Sequence, residues 1–280
     1  MSVRINNQQF ELITTFSLFD NYLHNQTSLD LTSASNNLIY EPIRNEIIDN
    51  AEAPFMFETI RMPYQPGELL KKEVATLRSS PLLNIAQNAL SLITPNLPGP
   101  STKIIFMPAN PAMHDFFSKH GMCMNAITIG TGKIVVMIDP TLDGWQETLP
   151  YVIAHEYHHS AWISKHWTNA DFSVLEYLIF EGRADAFATA LYKTVKSPWT
   201  TMINREQEIA VWKDIKAEIL LRGHDRINKV MFGNSDIPLG SGYTIGFNIV
   251  RSFKENNPDL SDNRIIDLEP EEILKMSKYK

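Results

Sequence analysis

Apolar positions recur at three- and four-residue intervals along most of the chain, and change rhythm between about residues 100 and 140. The long spacing predicts helices and the interrupted stretch a few short strands, so the fold class read from the pattern is α+β, mostly α. Residues 1–66 are polar-rich, with a soft Thr, Ser and Asn stretch over 26–37; their apolar runs, 10–22 and 43–48, predict helix. A helix is expected over 68–77. Ser80-Pro81 then reads as an N-cap followed by proline at the first helical position, opening a helix to about Ile93. The proline-rich run 94–100 is a loop.

Beyond that loop, residues 103–107 form a strand candidate, and 126–129 and 133–138 flank Gly130-Thr131-Gly132 as the arms of a hairpin. The Gly-Thr-Gly-Lys of this turn is not a phosphate loop: it lacks the first glycine at the required spacing, and Ile134 stands where Ser or Thr belongs. Pro150 is compatible only with a first helical turn, which sets a helix from about Thr148 to Trp162. After a turn at 165–170, Val174, Leu175, Leu178, Ile179, Ala184, Phe187, Ala188 and Leu191 predict a second helix over 171–193. Further helices are expected over 205–222, with Ile209, Trp212, Ile215 and Ile219 inward and Gly223 as C-cap, over 243–254, and from Glu269-Pro270 onward. The chain thus reads in three parts: an N-terminal helical segment (1–66), a subdomain with the short sheet and the first long helix (67–164), and a helical C-terminal subdomain (165–280).

Composition narrows the partners. With 280 residues the chain can bury a substantial core, and 44% apolar and 20% charged residues describe a globular protein. A net charge of −7 without a Lys/Arg-rich block argues against nucleic acid or an anionic membrane as the main partner. The single cysteine, Cys123, excludes an intrachain disulfide and a Cys-based zinc finger. No apolar run reaches the roughly 18 residues of a membrane span, and the first residues contain no secretory core. The expectation is a cytoplasmic protein.

The chemistry is concentrated in His155-Glu156-Tyr157-His158-His159, entered through the apolar Tyr151-Val152-Ile153-Ala154. On a helix, His155 and His159 share one face and can bind one Zn²⁺, and Glu156, one step round, can act as the base toward a water on that metal. The bland alternative is a core helix whose histidines are satisfied by neighbours. Twenty-two residues later, Glu181 and Asp185 again stand four apart beside apolar positions, where bare carboxylates are costly. Zinc ligation by Glu181 and a hydrogen bond from a ligand histidine to Asp185 would account for both; a solvated stripe beside Arg183 is the alternative. His158 cannot point at the same metal and is assigned to packing or the outer shell. His114, His120 and His166 have no ligand spacing, and Cys123 has no paired base.

His-Glu-x-x-His, a short loop and Glu-x-x-x-Asp on a second helix resemble the gluzincin class of zinc metallopeptidases. More narrowly, Ala-His-Glu-Tyr-His-His, Glu-Gly-Arg-Ala-Asp-Ala-Phe-Ala and Gly242-Tyr243-Thr244-Ile245-Gly246-Phe247 resemble a bacterial family of predicted zinc-dependent proteases, over roughly residues 100–255. The resemblance implies a zincin-like fold: a small mixed or antiparallel sheet, an active-site helix and a helical C-terminal lobe. It implies one Zn²⁺ per chain on His155, His159 and Glu181, with Asp185 behind them and Glu156 as general base in peptide hydrolysis. A Tyr or His of the C-terminal lobe would steady the developing oxyanion, Tyr243 before His224, and one hairpin strand would pair with an extended peptide or protein substrate. Arg183 stands where that family often carries an apolar residue. The alternative function is a catalytically inactive zincin fold serving as a metal-stabilised binding or regulatory module.

Overall fold

The change of rhythm near residue 100 marks the middle of a five-stranded mixed sheet. In the computed structural model, which describes residues 1–25, 30–167 and 171–280, the strands are β1 (Ser2–Ile5), β2 (Gln8–Thr14), β3 (Thr102–Pro108), β4 (Met124–Gly130) and β5 (Lys133–Ile138). Their order is β1-β2-β3-β5-β4. The three inner strands run parallel, and β1 and β4 are antiparallel edges. Strands β3 and β5, in register from Lys103↔Lys133 to Pro108↔Ile138, are buried almost throughout, as continuous apolar runs in a sheet covered on both faces should be. The fold is α+β and mostly helical, as the pattern predicted.

The N-terminal residues depart from the helical expectation. Phe10 and Leu12 are buried while Gln9 and Glu11 are exposed, a period of two that suits a strand, and β2 pairs with β3 from Phe10↔Thr102 to Thr14↔Phe106. Asn6 and Asn7 both have positive φ, the conformation of a tight two-residue hairpin turn that Asn tolerates. Helix begins only at Phe16.

The chain divides into two units, Met1–His166 and Trp167–Lys280. In the first, the helices are α1 (Phe16–Asn25), α2 (Leu31–Ser35), α3 (Glu41–Ile47), α4 (Phe55–Glu58), α5 (Glu68–Ser79), α6 (Leu82–Asn96), α7 (His114–His120) and α8 (Trp145–His166). Of the soft stretch 26–37, residues 26–29 lie outside the described residues; Asp30 caps α2 through Ser33 N. Ser80 does not cap α6: its hydroxyl donates to Leu77 O and closes the last turn of α5 instead. Helix α8 starts at Trp145, so Pro150 lies beyond its first turn. Its missing N–H forfeits only the bond to the carbonyl of the exposed Gln146. Of the turn expected at 165–170, residues 165 and 166 end α8 and 168–170 lie outside the described residues.

The second unit holds α9 (Val174–Leu191), α10 (Arg205–Ile215), α11 (His224–Phe232), α12 (Ser241–Asn256), α13 (Asp262–Ile265) and α14 (Pro270–Met276). Ser173 and Glu176 form a capping box at the start of α9. Helix α9 packs on α12 with almost no side chain between the backbones: a Cβ at Gly182 would overlap the carbonyl of Gly246, and one at Gly246 that of Leu178. Helix α10 stops at Ile215 rather than continuing to 222, and its inward face is Glu208, Val211 and Ile215; Ile209 is 55% exposed. The buried Glu208 takes the inward position because its carboxylate accepts from Asn248, Arg205 and the Tyr279 hydroxyl.

Two consequences can be measured. Alanine at Gly246 adds about 1 kcal/mol of helix propensity, but its methyl meets a backbone carbonyl that cannot rotate away. Gly246→Ala should therefore lose about 1–3 kcal/mol in urea unfolding. The second concerns Glu73 on α5, fully buried, with neither carboxylate oxygen hydrogen-bonded among the described residues. Burial, then the negative charge of Asp139, pushes its pKa up to about 9. A folded-state pKa above the unfolded one means stability is complete at low pH and is lost as pH rises toward 9, by about 3 kcal/mol at neutrality. Glu73→Gln should remove that slope. Its stability advantage over the wild type should widen from about pH 5 to about pH 9 in urea melts, and parallel pH profiles would refute this account.

Candidate metal centre

Helix α8 is held by its neighbours at several points round its axis. Toward the hairpin, Gly132 N donates to Ser160 Oγ at 2.7 Å, and the Thr128 hydroxyl lies 2.9 Å from Glu156 O and 2.7 Å from Glu156 Oε2. Positions 156 and 160 are one turn apart, so both anchors fall on the same face. On another side, Tyr157 OH accepts from Gln8 Nε2 at 2.6 Å and sits against Gly99, where a Cβ would collide with it. The rotation of α8 is thereby set, and with it the direction of the intervening positions.

That rotation turns His155 and His159 to a common point. Their Nε2 atoms are 3.0 Å apart, with ring centroids at 4.6 Å and ring planes at 87°. Two nitrogens bound tetrahedrally to one zinc, at ~2.0–2.1 Å each, would be about 3.3 Å apart, close to what the pair presents without a metal. Glu181 is buried on α9, and one ligand atom from each of His155, His159 and Glu181 lies within 4.8 Å of the other two, a group that could hold a metal ion. Two imidazoles and one carboxylate are a donor set known for hydrolytic zinc, which keeps a fourth position open.

The other residues singled out from sequence fall as follows. Glu156 is buried and turned to Thr128, one step round the helix from the histidine face. Asp185 is fully buried one turn after Glu181 on α9, and His158 is buried on α8. The solvated-stripe alternative for α9 does not hold, since Glu181, Arg183 and Asp185 are all buried. Arg183 donates to the carbonyls of Ile266 and Leu268, tying the segment after α13 to α9; burial lowers its pKa to about 10. Tyr243, in the first turn of α12, packs its ring against Trp199 at 5.0 Å and Phe232 at 6.3 Å, and His224 is the first residue of α11. His114 is paired with Asp139 at 2.7 Å, while His120 and His166 stack near Phe116 and Trp162. Burial pushes the Cys123 thiol up to about 11, which suits a packed side chain rather than a nucleophile. Thr128 was not legible as part of the site: it is an ordinary strand residue, and its partner is 28 positions away.

If the three residues bind zinc as a unit, His159→Ala should abolish stoichiometric zinc, measured by elemental analysis after dialysis. His120→Ala, far from the motif in sequence and seated on Phe116, should leave it at the wild-type level.

Comparison with known proteins bears on the same region. Uncharacterized protein YjfC of Bacillus subtilis (strain 168) is 31% identical over 120 residues, covering 38% of this chain and 39% of that protein. Uncharacterized protein YjaZ of the same organism is 27% identical over 169 residues, covering 55% of this chain and 59% of that protein. The chain thus spans between two fifths and three fifths of the length of these relatives. No solved structure matches it. A family model described as "Predicted Zn-dependent protease (DUF2268)" matches residues 82–275, which take in β3, the hairpin, α8 and nearly all of the second unit, and the chain belongs to that family.

Proposed function

We propose that this protein hydrolyses peptide bonds, with one Zn²⁺ held by His155, His159 and Glu181 and with Glu156 as general base. The observation that carries the reading is the convergence of those three ligand atoms within 4.8 Å, one helical step from a buried carboxylate. The family description points the same way. When bound, zinc supplies a Lewis acid that polarises a carbonyl and brings the pKa of water toward neutrality. Glu156 takes the proton of the attacking water and passes it to the leaving amine. Its carboxylate has one oxygen engaged by Thr128, which leaves the other for this work. In keeping with a gluzincin-like arrangement, Asp185 orients a ligand histidine, and Tyr243, or else His224, donates to the oxyanion.

Strand β4 is the candidate for the substrate. It lies at the sheet edge beside α8, where an extended peptide can add as a further strand. A net charge of −7 and the single cysteine accord with a cytoplasmic enzyme acting on peptides or proteins. Among the described residues no helix is long and apolar enough to cross a membrane.

The decisive substitution is Glu156→Gln. It keeps shape and removes the base, so zinc should remain at one per chain while cleavage of a fluorogenic peptide library falls by about 10²–10⁴-fold. Full activity in this variant would sink the proposed chemistry. A zinc-loaded wild type that cleaves nothing in the library would favour the metal-stabilised binding module.

A further inference from the structure

We infer that Thr128 is the positioning residue for the general base: its hydroxyl, carried on the edge strand β4, holds the Glu156 carboxylate in the orientation that peptide hydrolysis requires. The inference rests on the peptidase reading for its chemical meaning and on the first unit alone for its geometry.

A glutamate side chain has three rotatable bonds, and on a helix it ordinarily samples several rotamers at an entropic gain of about 1–2 kcal/mol. A base that must meet one proton at one place needs that freedom removed. Glu156 has lost it. It is buried, and its Oε2 is 2.7 Å from Thr128 Oγ1. Thr128 is itself poorly mobile: it is buried, β-branched and therefore stiff at χ1, and its backbone is paired opposite Ile134 in the hairpin. The same hydroxyl lies 2.9 Å from the backbone carbonyl of Glu156. It therefore sits over the start and the end of one side chain, so the carboxylate is fixed relative to the helix that carries both histidines.

The arrangement also accounts for the choice of residue. Serine could donate the same bond but would rotate more freely; valine would match the shape and remove the donor. A purely structural threonine, bonded only to the helix carbonyl, would need no contact with the carboxylate. Because β4 is also the strand proposed to receive substrate, the residue that aims the base and the edge that receives the peptide belong to one rigid element. No intervening loop has to transmit their relative placement.

The test uses T128V and T128S in the full chain loaded with zinc. Crystal structures read the carboxylate position directly, and steady-state kinetics on a peptide cleaved by the wild type read its consequence. In T128V the Glu156 carboxylate should leave its wild-type position, and kcat should fall by about 10- to 100-fold at unchanged KM and zinc content. In T128S the carboxylate should stay on the residue-128 hydroxyl, with kcat restored toward wild type. A T128V structure with the carboxylate still in place overturns the inference whatever the activity, and so does a serine variant as impaired as the valine one. A wild type that binds zinc but cleaves no peptide overturns the peptidase reading instead, while the crystallographic comparison still decides what Thr128 does.

Discussion

The candidate centre depends on the rotational setting of one helix. Consecutive residues of an α-helix point about 100° apart, so a slip of one position in α8 would turn the imidazoles toward the sheet and Glu156 away from Thr128. Two hydrogen bonds to the hairpin, Thr128 to Glu156 and Gly132 to Ser160, are spaced four residues apart on both partners. The Tyr157 hydroxyl is held separately by Gln8, from the N-terminal hairpin. Each bond contributes only about 1 kcal/mol net, but an unsatisfied buried partner costs more, so the alternatives to this setting are disfavoured beyond what apolar packing alone would achieve.

The same unit shows what burial does to carboxylates in different company. Asp139 is buried yet well supplied: Thr141 donates through both its backbone N–H and its hydroxyl, and His114 lies at 2.7 Å. Glu73, on the opposite footing, has no hydrogen-bond partner among the described residues and is held neutral over most of the pH range by desolvation. Glu156 is intermediate, with one oxygen engaged by Thr128. A single hydroxyl donor leaves part of its acceptor capacity unsatisfied.

In the second unit the organising contact is steric. Glycines 182 and 246 let α9 and α12 approach backbone to backbone, and α9 is buried without a break from Glu181 to Ala188. Glu181, Arg183 and Asp185 are buried within that stretch. Arg183 caps carbonyls left at the end of α13, so its charge serves the fold of the C-terminal segment.

Local patterns determined a good deal by themselves. The helical period over 174–191, the glycine turn between β4 and β5, and the four-residue spacings of His155 with His159 and of Glu181 with Asp185 are properties of neighbours in sequence, and backbone geometry reads them directly. The N-terminal strands are not set by local pattern, because the short alternation in residues 8–14 runs into the apolar positions of α1, and only pairing with β3, over 90 residues away, distinguishes the two. Along α10 and just beyond it the periodicity holds for Ile215 and Ile219, which are buried, but not for the exposed Ile209: Glu208 is inward instead, held by partners at Asn248 and Tyr279 that no local pattern announces. Thr128 beside Glu156 and the isolation of Glu73 likewise belong to tertiary structure. Spacing along a chain dictates which side chains share a face, whereas what that face meets is settled by contacts between distant segments, whose free energy appears only when the whole core forms.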